Sequence, residues 1–182
     1  MPVLPVRRAP AAAPGAAPPD DPRAARLGQA VHRLLEWIGR PDAPLPRADW
    51  PTAAHAAARS FGVAGLADEV MAVAAAVYDS PECGRFFRGP ALAWAGNELP
   101  IADGSETLRL DRLVCLDADG GRCWWVLDFK LGEQPDRWPD HRRQLGRYVD
   151  AVRAAHPGER VEGAFITGRG RLVPLAGDAG AM

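Results

Sequence analysis

Asp111, Asp128 and Lys130 are the residues whose types and spacing most readily suggest chemistry. The runs Leu110-Asp111-Arg112-Leu113 and Leu127-Asp128-Phe129-Lys130 flank the segment Asp117-Ala118-Asp119-Gly120-Gly121. Asp-Gly between alternating apolar runs predicts a two-residue hairpin loop. With Asp119-Gly120 as that loop, Ala118 pairs with Gly121, and the same register puts Asp111 directly opposite Asp128. Opposed side chains on one sheet face stand roughly 4.5–5.5 Å apart at Cβ, and two like charges placed there destabilise the pair. A divalent cation held between them reverses that cost, because hard cations take oxygen ligands and are commonly held by one or two carboxylates. Lys130, two residues after Asp128 in a strand, shares its face, while Arg112 and Phe129 alternate to the other. An ammonium there can orient a water nucleophile or offset charge developing on a phosphate. The register also sets Arg109 beside Lys130. The same spacing is compatible with solvated charges on a half-exposed sheet, so the metal reading and the bland one both stand on these residues alone.

Other side chains are candidates by position. His32 lies mid-helix in Gly28-Gln29-Ala30-Val31-His32-Arg33-Leu34-Leu35-Glu36, where a lone histidine is either a ligand or a surface or core residue. Glu98 ends an apolar run at Asn97-Glu98-Leu99-Pro100. Gln144 and Tyr148 are four apart and share one helix face. Arg142, Arg143, Arg147 and Arg153 crowd that helix against Asp150, a local basic surface suited to phosphates or simply to solvent.

The elements that must position these groups follow from periodicity. Residues 1–22 hold seven Pro and six Ala and read as a disordered linker. Leu27, Val31, Leu34, Leu35 and Ile38 recur at helical spacing, predicting a helix over 23–39. Residues 50–59 and 64–78 predict two more, and 81–87 a short fourth. After Pro90 the period falls toward two: strands are expected over 91–101, 106–116 and 122–130, then a loop over 131–140. A helix over 141–155 and strands at 161–167 and 172–175 complete the chain. The fold class is α/β, a mixed sheet containing a three-stranded antiparallel meander flanked by the later helix and a helical N-terminal region. One domain is expected over 23–176, with a flexible tail at 177–182.

Composition bounds the partners. The chain has 182 residues and a formal net charge of −1, which argues against a strongly basic free-standing nucleic-acid binder. Its longest apolar stretch, Val70 to Tyr78, is about half of what a membrane span needs, and no membrane partner is expected. The three cysteines lack metal-type spacing and fit a reducing cytoplasm.

Taken in order, Gly28-x-x-x-His32-x-x-Leu35-Glu36, Glu98-x-Pro100, Leu110-Asp111-Arg112-Leu113, Asp128-Phe129-Lys130 and Gln144-Leu145-x-x-Tyr148 resemble the RecB-type branch of the PD-(D/E)xK nuclease superfamily. That branch includes the C-terminal nuclease domains of RecB and AddA helicase–nucleases. The resemblance implies a restriction-endonuclease-like core and hydrolysis of DNA phosphodiesters with Mg²⁺ or Mn²⁺. It implies His32, Asp111, Asp128 and the backbone carbonyl of Phe129 as metal ligands, and Lys130 as the group assisting the attacking water. Glu98 matches the family's glutamate before the hairpin. Gln144 and Tyr148 would line the site and the DNA path, with Arg142, Arg143 and Arg147 beside them. Arg109 departs from the family pattern, where a glycine often stands, and so does His141, where an aromatic often stands. The resemblance further implies DNA ends or single strands as substrate, exonuclease action in repair or recombination, and a UvrD/RecB-like helicase motor in cis or in trans, since no G-x-x-x-x-G-K-[ST] phosphate loop occurs in the sequence. A catalytically silent DNA-binding or scaffolding relative is the competing reading.

Overall fold

A computed structural model describes residues 21–118 and 121–175. The expected linker, the Asp119-Gly120 loop and the C-terminal tail therefore lie largely or wholly outside the described residues. Helix α1 spans Pro22–Ile38, with Asp21 capping it: its carboxylate accepts the Arg23 amide at 2.9 Å. Pro22 suits the first turn, where no amide is needed. The helix buries Ala30, Val31, Leu34, Leu35 and Ile38, the stripe that the spacing predicts. Helices α2 (Trp50–Ser60) and α3 (Ala67–Asp79) follow. The helix expected from residue 64 opens instead as a 3-10 turn, Ala64–Leu66. The short helix expected over 81–87 is only a 3-10 turn at Gly84–Phe86. The Ser80 hydroxyl accepts the Glu82 and Cys83 amides there, so a side chain satisfies the backbone that a helix would otherwise have to pair.

Strands β1 (Leu92–Asp103), β2 (Glu106–Ala118) and β3 (Gly121–Lys130) form the antiparallel meander. A 3-10 turn at Pro135–Arg137 interrupts the expected loop, and helix α4 starts at Pro139, running to Ala155. It crosses over to β4 (Arg160–Thr167), which lies parallel to β3, and β5 (Leu172–Pro174) closes the sheet antiparallel to β4. The strand order is β1-β2-β3-β4-β5. Ala118 pairs with Gly121 and Arg112 with Leu127, the register that the two-residue loop predicts; the ladder ends there, and the expected direct pairing of Asp111 with Asp128 does not form, Asp111 accepting the Phe129 amide instead.

Helices α1, α2 and α3 cover one face of this sheet, packing on Val114, Leu116, Leu127, Ala164 and Ile166. Helix α4 covers the other, on Leu110, Leu113, Val126 and Phe165. Among the described residues no helix is long and apolar enough to cross a membrane.

One irregularity positions the site. Strict alternation would keep residues of one parity on one face. In β2, Leu110 packs on the α4 side, whereas Val114 and Leu116 pack on the α1 side. In β1, Ala95 packs on the α1 side, whereas Leu99 and Ile101 pack on the α4 side. Both strands therefore change face together, between Asn97↔Arg112 and Leu99↔Leu110, with the register kept on either side. Glu98 and Asp111 occupy the switch. Glu98 has φ 50°, the one positive φ of a non-glycine residue among those described. A β-carbon in that region is strained, and such strain clusters at functional sites.

Candidate active site

His32 reaches the site from α1. Its ring lies against Phe129, with centroids 5.2 Å apart. Its Nε2 stands 3.3 Å from Glu98 Oε1 and 3.7 Å from Glu36 Oε1, yet makes no hydrogen bond. Burial lowers its pKa against the upward pull of Glu36, Glu98 and Asp128. A neutral imidazole is the form that binds metal. Glu36, one turn along α1, has its own pKa raised by burial.

Asp111 arrives from the strand switch. Its Oδ2 accepts the Phe129 amide at 3.0 Å, tying β2 to the end of β3. Burial raises its pKa, and the Phe129 amide and Lys130 pull it back. Asp128 lies deeper, its side chain only 2% exposed. Lys130 Nζ stands 2.8 Å from its Oδ2, but obliquely, so that oxygen has no aligned donor. Burial first, then the Asp111 charge, pushes Asp128 up to about 6. Two carboxylates that resist ionisation together with an unsatisfied imidazole nitrogen are what a bound cation would relieve.

His32, Glu98 and Asp111 each offer one ligand atom, and these atoms lie within 4.8 Å of one another. A single divalent cation can span that spacing, and the mixed oxygen and imidazole set suits a hard or borderline ion. Of the sequence-derived ligands, His32 and Asp111 thus converge, with Asp128 behind them feeling the Asp111 charge. Glu98, a candidate from its motif, joins the cluster directly. Phe129 contributes its amide to Asp111. A cleft of about 340 Å³ beside α1 is lined by Asp111, Lys130, His32 and Gly28.

Arg109, expected beside Lys130, instead pairs across from Pro100 and extends its guanidinium to Glu98, with Nε 3.2 Å from Oε2. The guanidinium occupies a carboxylate oxygen that a cation would compete for. Arg112 points to the α1 face, is 1% exposed and has no carboxylate partner among the described residues. It donates to the Phe86 and Gly39 carbonyls and to Asn97 Oδ1, and lies over the Phe87 ring. Burial lowers its pKa to about 10. A β-carbon at position 39 would fall 2.6 Å from its Nη1, so Gly39 makes room for it. Arg112 locks α1 and β1 to β2 at the residue next to Asp111.

The α4 residues form a neighbouring group. Gln144 Nε2 donates to Tyr148 Oη at 2.8 Å. Both line a concavity of about 370 Å³ that shares no lining residue with the cleft at Asp111 and Lys130. Arg147 is bound to Asp103 and Glu106 at the tip of the β1–β2 hairpin, Arg143 to Asp140, and Arg142 to the Asp136 carbonyl. Arg143 and Arg147 are therefore charge-compensated within the chain, whereas Arg142 is held by a backbone carbonyl.

Spacing alone missed two further groups. Glu36 lies four residues from His32, a helical repeat that does signal a shared face. His141 has Nδ1 3.1 Å from the Pro135 carbonyl, and its pKa is lowered by burial and by Lys130. No local pattern ties His141 to a strand residue so far away in sequence.

No curated protein matches the chain. A family model described as the PD-(D/E)XK nuclease superfamily matches residues 6–175, and PD-(D/E)XK nucleases generally use divalent metals. The match spans the whole sheet, both helical layers and every residue of the cluster above, and the chain belongs to the PD-(D/E)XK nuclease superfamily.

Proposed function

We propose that this protein is a Mg²⁺- or Mn²⁺-dependent deoxyribonuclease of RecB type. It acts on DNA ends or single strands in repair or recombination, in the cytoplasm, and with a helicase motor in cis or in trans. The convergence of His32, Glu98 and Asp111 beside Asp128 and Lys130 is the observation that carries this reading. His32, Asp111, Asp128 and the Phe129 carbonyl would hold the ion, and Glu98 would complete or tune the set. When bound, such an ion polarises a phosphate and acidifies a water. Asp128 holds the Lys130 ammonium at 2.8 Å, which places that charge at the carboxylates' edge. From there Lys130 would orient the attacking water or offset charge building on the phosphate. Gln144, Tyr148, Arg142, Arg143 and Arg147 would meet the DNA beyond the scissile bond, exchanging their present partners for phosphates.

Arg109 favours a second reading, a catalytically silent DNA-binding or scaffolding domain, because its guanidinium already engages Glu98. Degradation of end-labelled single-stranded and duplex DNA with Mg²⁺ or Mn²⁺ separates the two. The nuclease reading expects cleavage by the wild type, none by Asp128→Ala, and at least about a hundredfold loss in Lys130→Met, the scale of a removed charge-stabilising group. Wild-type protein that neither cleaves nor is stabilised by Mn²⁺ would overturn it.

A further inference from the structure

A second cleft, of about 830 Å³, runs along the outer edge of β1 beneath the C-terminal half of α1. Strand β1 ends the sheet and pairs only with β2, so this edge carries no further strand among the described residues. Trp94 stands on it, 45% exposed, the one exposed large hydrophobic side chain among the described residues. Its ring is set by an edge contact with Trp124 at 5.6 Å. Gly96 leaves room for it, since an added β-carbon there would lie 2.7 Å from the Trp94 ring. Arg33, Arg40 and Arg109 surround the same cleft, which ends at Glu98.

The charges are layered. Glu36 and Glu98 turn inward to His32 and are 12% and 28% exposed, whereas the guanidiniums paired with them, Arg33 and Arg109, are 45% and 72% exposed. The floor is acidic toward the metal-type cluster, and guanidiniums face solvent at the rim, two of them paired with the carboxylates beneath. Asp42 is the one exposed carboxylate among the lining residues.

We propose that this cleft is the path of a single strand of nucleic acid, with a base stacked on Trp94 and phosphates at Arg33, Arg40 and Arg109. The inference rests on the nuclease reading and adds to it a substrate form and an approach direction, along β1 to Glu98. A cationic rim with an exposed aromatic platform is how unpaired strands are gripped without sequence preference. Base faces inside a duplex are already stacked and offer an indole nothing to lie on. A free sheet edge could also take a β-strand of a protein, but neither the guanidiniums nor the continuity with Glu98 would serve such a partner.

Fluorescence anisotropy of the full chain with fluorescein-labelled dT12 and a 12-base-pair duplex, in EDTA, tests this without cleavage. Wild type should bind dT12 more tightly than the duplex. Trp94→Ala should weaken dT12 binding roughly 5- to 100-fold, the range for one lost stacking contact, and leave duplex binding within about twofold. Trp94→Phe should retain most of the affinity, and Arg40→Glu should weaken dT12 while leaving the stacking platform in place. A wild type that fails to bind dT12, or a folded Trp94→Ala protein that binds it as wild type does, overturns the proposal, as does equal loss on the duplex. Failure of the nuclease reading shows separately, as absent metal-dependent cleavage and absent Mn²⁺ stabilisation, because binding here is measured without metal.

Discussion

Replacing Asp128 with asparagine should make the metal-free protein more stable and the metal-loaded protein less so. Asp128 is nearly inaccessible, and burial and the Asp111 charge push it up to about 6 from an ordinary 3.8. The folded pKa therefore lies above the unfolded one. Between those values the native state holds a proton that the unfolded state has released, so stability falls as pH rises through the window from about 4 to 6. Two pKa units correspond to about 3 kcal/mol at pH 7.5, an upper bound, since the variant also gives up the Lys130 contact. Asparagine has no such penalty. In EDTA at pH 7.5 the variant should gain about 1–3 kcal/mol, or roughly 3–9 °C in Tm for a domain of this size. At pH 5 the gain should shrink by about half, because much of the wild-type penalty is then relieved by protonation. Mn²⁺ at about a hundred times its Kd should add about 2.7 kcal/mol to wild type and little to the variant, closing or reversing the gap between them. Differential scanning calorimetry at the two pH values, with EDTA and with MnCl₂, reads all four states. A variant less stable than wild type in EDTA at pH 7.5 refutes the repulsion argument, and equal stabilisation of both proteins by Mn²⁺ refutes Asp128 as a ligand.

Arg112→Met should destabilise the fold by about 3–5 kcal/mol in urea unfolding, since it strands the Gly39 and Phe86 carbonyls and the Asn97 amide oxygen in a buried setting. Glu98→Gln should weaken Mn²⁺ binding about tenfold, the low end for a perturbed metal site, read as a shift in the Mn²⁺ concentration needed for thermal stabilisation, while the metal-free Tm changes little.

The parts of this protein set by short-range rules were legible in its sequence. Helix α1 follows from Pro22, a five-residue apolar stripe and Gly39, and its observed ends differ from the predicted ones by a single residue. The hairpin register follows from Asp119-Gly120 and reproduces the pairing of Ala118 with Gly121 and Arg112 with Leu127. The short segments read less well. Residues 81–87 have helical composition, but Ser80 diverts their amides and leaves a 3-10 turn. The α4 arginines look basic in sequence because Asp103 and Glu106, which neutralise Arg147, sit forty residues away on the β1–β2 tip. Charge counted along a helix cannot see a partner delivered by another element.

The face switch explains why the site itself was only half legible. Counting by twos from Leu113 puts Asp111 on the α4 face, with Asp128; counting from Leu110 puts it on the α1 face, with His32. Either count alone separates one of those partners from it. A residue at the switch belongs to both faces, so Asp111 can accept from the Phe129 amide, feel the Asp128 charge and still meet His32 and Glu98 within 4.8 Å. The backbone accommodates this at Glu98, in a conformation that side chains other than glycine rarely adopt. Arg112 then braces the adjoining position with bonds to α1, to β1 and to the turn before β1. No alternation rule anticipates such a switch, because it arises from two strands turning together, and Asn97 and Pro100 look like ordinary edge residues until their partners are known. The chemistry-bearing cluster therefore sits where local pattern and tertiary packing disagree, and the strained backbone at Glu98, a candidate already in the sequence, brings its carboxylate to that cluster.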